Sequence, residues 1–128
     1  MSEEGVVKLG CFGISEAYYV RDVDENTMCN SSMYMAPEVF EDSAVLKSDV
    51  WSLGMSVIEM IEGKNPYAGM TYAEFKEVVL NNPPPSLTSS GWSNALVDFV
   101  KKCLVKDVNE RWSADELLEV SVGVLSDD

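Results

Sequence analysis

The apolar positions fall into helical registers over most of the second half of the chain. In Ser48–Glu62, Val50, Trp51, Leu53, Met55, Val57, Ile58, Met60 and Ile61 leave little polar surface. A helix that is apolar nearly all round is one buried on most of its sides. Ser48 or Asp49 is placed to cap its start, and Gly63 its end. The next helix opens at Thr71, where Thr71 and Glu74 have capping-box spacing, and it carries Phe75, Val78 and Val79. Asn81-Asn82-Pro83-Pro84-Pro85 stops it. From Ser93 to about Val105, Leu96, Phe99, Val100, Cys103 and Leu104 recur at i, i+3, i+4, i+7 and i+8, which is one face of a helix. Ser113 and Glu116 form a second capping box before a last helix, with Leu117, Leu118, Val124 and Leu125 predicted on its inner side.

The first part of the chain reads differently. Gly5-Val6-Val7-Lys8-Leu9 predicts a short strand. Ser15 to Ser32 is irregular and rich in acids, Asn and Ser, the kind of long loop that is functional or disordered. Pro37 suits the first turn of a short helix over Pro37–Phe40. No internal repeat or linker divides the 128 residues, so the expectation is one mainly α unit with an extended lead-in.

Composition narrows the chemistry. The formal charge is −13, from 22 acidic and 9 basic residues. A phosphate backbone or an anionic bilayer needs clustered Lys and Arg, so nucleic-acid and membrane-surface roles are disfavoured. The chain has no histidine, which removes Ser-His-Asp catalysis, histidine bases and histidine-ligated zinc from its repertoire. Cys11, Cys29 and Cys103 are widely spaced and form no C-x-x-C pair, so no disulfide framework or metal site is expected. Reduced thiols fit a cytoplasmic or nuclear location. The acidic start is unlike a signal peptide, and no apolar run is long enough to span a bilayer.

Several short motifs occur in one order. Val7-Lys8-Leu9-Gly10-Cys11-Phe12-Gly13 resembles the strand leading into the Asp-Phe-Gly motif of protein kinases. Met35-Ala36-Pro37-Glu38 resembles the Ala-Pro-Glu motif that closes the activation segment. Ser48-Asp49-Val50-Trp51-Ser52-Leu53-Gly54, running on to Asn65-Pro66-Tyr67, resembles the central buried helix of the C-terminal lobe. Asn109-Glu110-Arg111 with Ser113-Ala114 resembles the turn before its final helix. In combination these motifs identify the chain as similar to the C-terminal lobe of the eukaryotic protein kinase superfamily. Trp-Ser-Leu-Gly favours the serine/threonine type. The stretch Glu74 to Leu104 is similar to the sterile group, which includes the MAP kinase kinases.

The resemblance implies a kinase-like C-lobe over residues 1–128, with 5–38 activation-segment-like and 48–125 a helical bundle. The family's activity is ATP- and magnesium-dependent phosphoryl transfer to protein Ser or Thr. That chemistry needs a glycine-rich loop, a Lys–Glu pair, a catalytic-loop Asp and Asn, and the Asp of Asp-Phe-Gly. All but the last fall, in the family, before the segment that this chain resembles, and the Asp position holds Cys11. Magnesium prefers hard oxygen ligands and an unperturbed thiol is soft and neutral, so Cys11, Phe12 and Gly13 do not make an intact cofactor site. The expectation is therefore no catalytic residue, no metal and no cofactor for this chain by itself. A redox-sensor role for Cys11 is weighed against a plain thiol after a strand, and the plain thiol is preferred.

The resemblance also implies a structural ion pair between Glu38 and Arg111. It places Asp49 where the family holds the catalytic loop, leaving helix capping as its role here, and it makes Trp51 a core residue. Trp112 stands where the family usually has proline. Tyr18, Tyr19, Thr27, Ser31 and Ser32 fall in the activation-loop-like stretch as candidate phosphosites, with only Arg21 near to pair a phosphate. Ser31 resembles the threonine that shapes the substrate pocket, but Asn30 and Ser32 depart from the usual Gly and Pro. Helices that precede this segment in the family cover one side of the central helix. Without them that side seeks a protein partner or a second copy. The reading is a non-catalytic, pseudokinase-like interaction module. The alternative is part of an active MAP kinase kinase-like enzyme whose N-terminal half lies outside the 128 residues.

Overall fold

The computed structural model describes Gly5, Val6, Lys8 and residues 32–125, with only the backbone of 121–125. Four α-helices follow a pair of 3-10 turns, Ser32–Tyr34 and Pro37–Glu41: α1 (Leu46–Glu62), α2 (Tyr72–Asn81), α3 (Asn94–Cys103) and α4 (Ala114–Leu125). The described part is helical, as the periodicity predicts, and has the architecture of a kinase C-lobe. Gly5, Val6 and Lys8, inside the predicted strand, lie in no regular element, and Val7 and Leu9 are outside the described residues. A strand exists only with a neighbour to pair with, and the described residues supply none.

The centre of the fold is α1. Val50, Trp51, Met55 and Ile58 line its buried face. Val100, Cys103 and Leu104 meet this face from α3 and the residue after it. The two helices touch at Gly54, where an added Cβ would stand 2.7 Å from Cys103 Cβ and 2.9 Å from the Leu104 side chain. Only a hydrogen there lets the backbones come this close. On the other side of the core, Phe75 of α2 meets Tyr67 edge-on at 5.0 Å and Phe40 of the second 3-10 turn at 5.5 Å.

Helix ends follow the capping chemistry in three of four cases. Glu74 N–H donates to Thr71 Oγ1 while Thr71 N–H donates to the Glu74 carboxylate. Ser113 and Glu116 repeat this reciprocal pair, and Ser93 Oγ receives Leu96 N–H. The start of α1 differs. It begins at Leu46 with Val45 as its cap residue, so Asp49 lies in the first turn, exposed, and caps nothing. The valine has no side-chain acceptor, and Ser48 Oγ takes the Val45 N–H instead. Asp49 still suits its place, since a carboxylate near a helix N-terminus meets the positive end of the dipole. At the far end Gly63 adopts φ 72° and returns its N–H to Glu59 O.

Not every apolar helix position is buried. In α4 Leu117 is buried but Leu118 is 64% exposed, because adjacent helical residues lie about 100° apart and only one can face the core. Helix α1 is buried along one side only. Leu46 is 93%, Leu53 44% and Met60 74% exposed. Their spacing of seven puts them on one stripe.

Candidate functional site

The most tightly organised polar site sits where the second 3-10 turn, the start of α1 and the loop before α4 converge. Arg111 grips Glu38 with both ends of its guanidinium, at 2.6 Å from Nη1 and 2.9 Å from Nη2. Its Nε donates to Val105 O at 2.8 Å and Nη1 also to Lys47 O at 2.9 Å. Ser48 Oγ donates to the same Glu38 oxygen at 2.8 Å. Thus one buried cation ties together segments 73 positions apart in the chain. The forked geometry is one that Arg supplies and Lys does not. The guanidinium also lies 5.2 Å from the Trp51 ring centroid.

Burial by itself would raise the Glu38 carboxyl, but bonds from Arg111, its own backbone and Ser48 outweigh it and hold the group below its usual range. The ion pair is permanently charged at neutral pH. It anchors backbone; it does not shuttle protons.

A second node was not visible in the sequence. Tyr34 O–H donates to Glu59 Oε2 at 2.5 Å, and Asn65 Nδ2 donates to the same oxygen at 3.2 Å. Asn65 Oδ1 receives Tyr67 N–H, and Ser52 Oγ donates to Tyr34 O. The Ala-Pro-Glu segment is therefore held to α1 at both its ends, by Tyr34 before and by Glu38 within. Nothing local links Tyr34 and Glu59 across 25 positions, so only the three-dimensional fold shows the pair.

The remaining shifts all move titration away from pH 7. The hydrogen bond to Glu59 is the main cause raising Tyr34, and burial pushes Tyr67 to about 12 and the Cys103 thiol to about 11. Cys103 is fully buried and behaves as a small apolar side chain. None of these groups is tuned for proton transfer near pH 7. Among the described residues no cluster of His, Cys, Asp or Glu is arranged to hold a metal ion.

The structure places Trp51 in the core with no exposed surface, and its Nε1 has no hydrogen-bond acceptor among the described residues. Trp112 is half-buried, packs against the core and lies under Lys102 Nζ at 3.9 Å. Ser32 begins the first 3-10 turn. Cys11, Phe12, Gly13, Tyr18, Tyr19, Thr27 and Ser31 lie outside the described residues. No helix among the described residues is long and apolar enough to cross a membrane.

Comparison with known proteins agrees with this geometry. The family described as "Protein kinase domain" matches residues 1–122. Serine/threonine-protein kinase hippo of Drosophila melanogaster is 38% identical over 121 residues, covering 93% of this chain. The chain spans 18% of the length of that relative. A match over nearly all its residues, together with the Glu38–Arg111 lock and a helical core around Trp51, shows that the chain belongs to the protein kinase domain family.

Proposed function

We propose that this chain is a serine/threonine kinase-like C-lobe that does not itself hold magnesium ATP, and works as a pseudokinase-like interaction module. The observation that carries this reading is Cys11 at the position where the family motif has its magnesium aspartate. A neutral thiol gives the ion neither charge nor a hard oxygen. The 128 residues also contain no histidine, hence no His-Arg-Asp-type loop. The scaffold, by contrast, keeps Ala36-Pro37-Glu38 and Arg111. Such a division fits a module kept for its shape, located in the cytoplasm or nucleus, whose partner meets the bare side of α1. Glu74 to Leu104 supports a place near the sterile group.

Titration of the chain with magnesium ATP, followed by thermal unfolding, tests the reading. The expected result is an unchanged midpoint. Since a ligand that binds only the folded state raises stability by about 2.7 kcal/mol at a hundredfold excess over its Kd, binding would appear as a clear upward shift. That shift would overturn the proposal.

A second reading has its own support. The intact Glu38–Arg111 lock and the likeness to a protein named as a serine/threonine kinase fit a chain that is part of an active, MAP kinase kinase-like enzyme. In that case magnesium and ATP would be held together with residues outside these 128. Phosphoryl transfer by the endogenous protein, lost on Arg111→Met, would favour it.

A further inference from the structure

The segment between α2 and α3 carries a feature that the kinase reading does not use. Pro83, Pro84 and Pro85 follow Asn82, whose backbone is extended at φ −94° and ψ 161°. Each proline fixes its own φ near −65°. A residue that precedes proline is held to ψ of about 120 to 160°. No described peptide bond is cis. Asn82, Pro83 and Pro84 are thus confined to polyproline II geometry. With about 3.1 Å rise per residue, Asn82, Pro83 and Pro84 make one full turn of roughly 9 Å.

This turn is held at both ends and open in the middle. Lys106 Nζ donates to Leu80 O at 2.6 Å and to Asn82 O at 3.0 Å, which fixes the entry. Glu62, at the end of α1, fixes the exit by accepting from the backbone N–H and the hydroxyl of both Thr88 and Ser89, at 2.9–3.0 Å. Leu87 packs on the core between them. Pro83 and Pro84 are exposed, and no hydrogen bond is made by the carbonyls of 83–87 within the described residues. Exposed rings and free carbonyls on a turn with no internal hydrogen bonds are the features that an aromatic-lined groove reads.

We propose that Pro83–Pro85 is a docking strut for a polyproline-reading domain of the WW kind, whose paired aromatic rings seat consecutive prolines. The segment lacks the two prolines three apart that SH3 grooves read, which favours the single slot. The net charge of −13 favours a partner with a basic rim. The two clamps form the bound shape in advance, so little order has to be gained on docking.

The test uses an immobilised basic WW domain, with the 128-residue chain as analyte and a peptide of residues 81–89 beside it. The chain is expected to bind saturably and several-fold more tightly than the peptide. Pro83→Ala with Pro84→Ala should weaken binding about tenfold, as loss of the main anchors does, with an unchanged circular dichroism melt. Glu62→Gln should bring the chain's affinity toward that of the peptide. Absence of saturable binding, binding indifferent to the double substitution, or capture by an SH3 domain instead of the WW domain would each overturn the proposal. A Glu62→Gln chain binding as tightly as the parent would overturn the pre-forming role of the clamp.

Discussion

Both sides of α1 carry large apolar residues, and these end in opposite states. On one side Trp51, Met55 and Ile58 are sealed against α3, with the Arg111 guanidinium close to the Trp51 ring. On the other Leu46, Leu53 and Met60 stand in the open. Residue type does not separate the two faces; having a partner does. Hydrophobic pattern states what a surface needs, and only the rest of the fold says whether the need is met.

The sealed side can be broken hardest at its polar edge. Arg111→Met leaves the Glu38 carboxylate buried without a cation, and a loss of about 3–5 kcal/mol is expected, measured by urea unfolding. For a domain with the usual thin margin, that is close to complete unfolding. The same edge sets an acid limit. Because the folded Glu38 is held below its ordinary 4.5, its contribution is full above that pH and drains away as pH falls through the folded value. The chain should therefore lose stability below about pH 4.5, and Glu38→Gln should flatten that slope. A melt independent of pH from 6 to 3 would contradict it.

Closeness rather than charge is probed at Gly54. With 2.7 Å left for a Cβ, Gly54→Ala should force α1 and α3 apart at a cost of about 1–3 kcal/mol. A smaller effect is expected at the outer rim, where Lys102 bridges Asp98 at 2.6 Å and covers Trp112. Lys102→Met should cost about 0.5–1 kcal/mol. The open side gives the sharpest contrast. Leu53→Lys with Met60→Lys should leave stability within about 0.5 kcal/mol, since both positions are exposed. It should however reduce any self-association or partner capture seen by sedimentation. A collapse of the fold on this double change would mean that the open side is covered after all.

The elements that could be read in advance were those with local signals. Thr71–Glu74 and Ser113–Glu116 lie within three positions of the atoms they cap, so spacing is enough. Helix α1 starts before the residues its pattern points to, because Val45 gives no capping signal and Ser48 acts backwards on it. Leu118 faces outward although it looks like its neighbour Leu117 in a hydrophobicity pattern. Glu38 and Arg111 came from resemblance, and their meeting across the chain is a property of the fold. The Tyr34–Glu59–Asn65 node and the Glu62 clamp had no sequence signal, since their partners are distant and their residue types common on any surface.

The buried indole of Trp51 has an optical consequence. Its Nε1 has no acceptor among the described residues and its ring has no exposed surface, whereas Trp92 is exposed and Trp112 half-covered. In a dry, unbonded setting its fluorescence should lie at the blue edge of the tryptophan range. Variants with Trp92 and Trp112 replaced by Phe would leave it as the single emitter. The colour of that light would then report whether the centre of the domain is closed, opened to water, or joined by an acceptor brought by another segment.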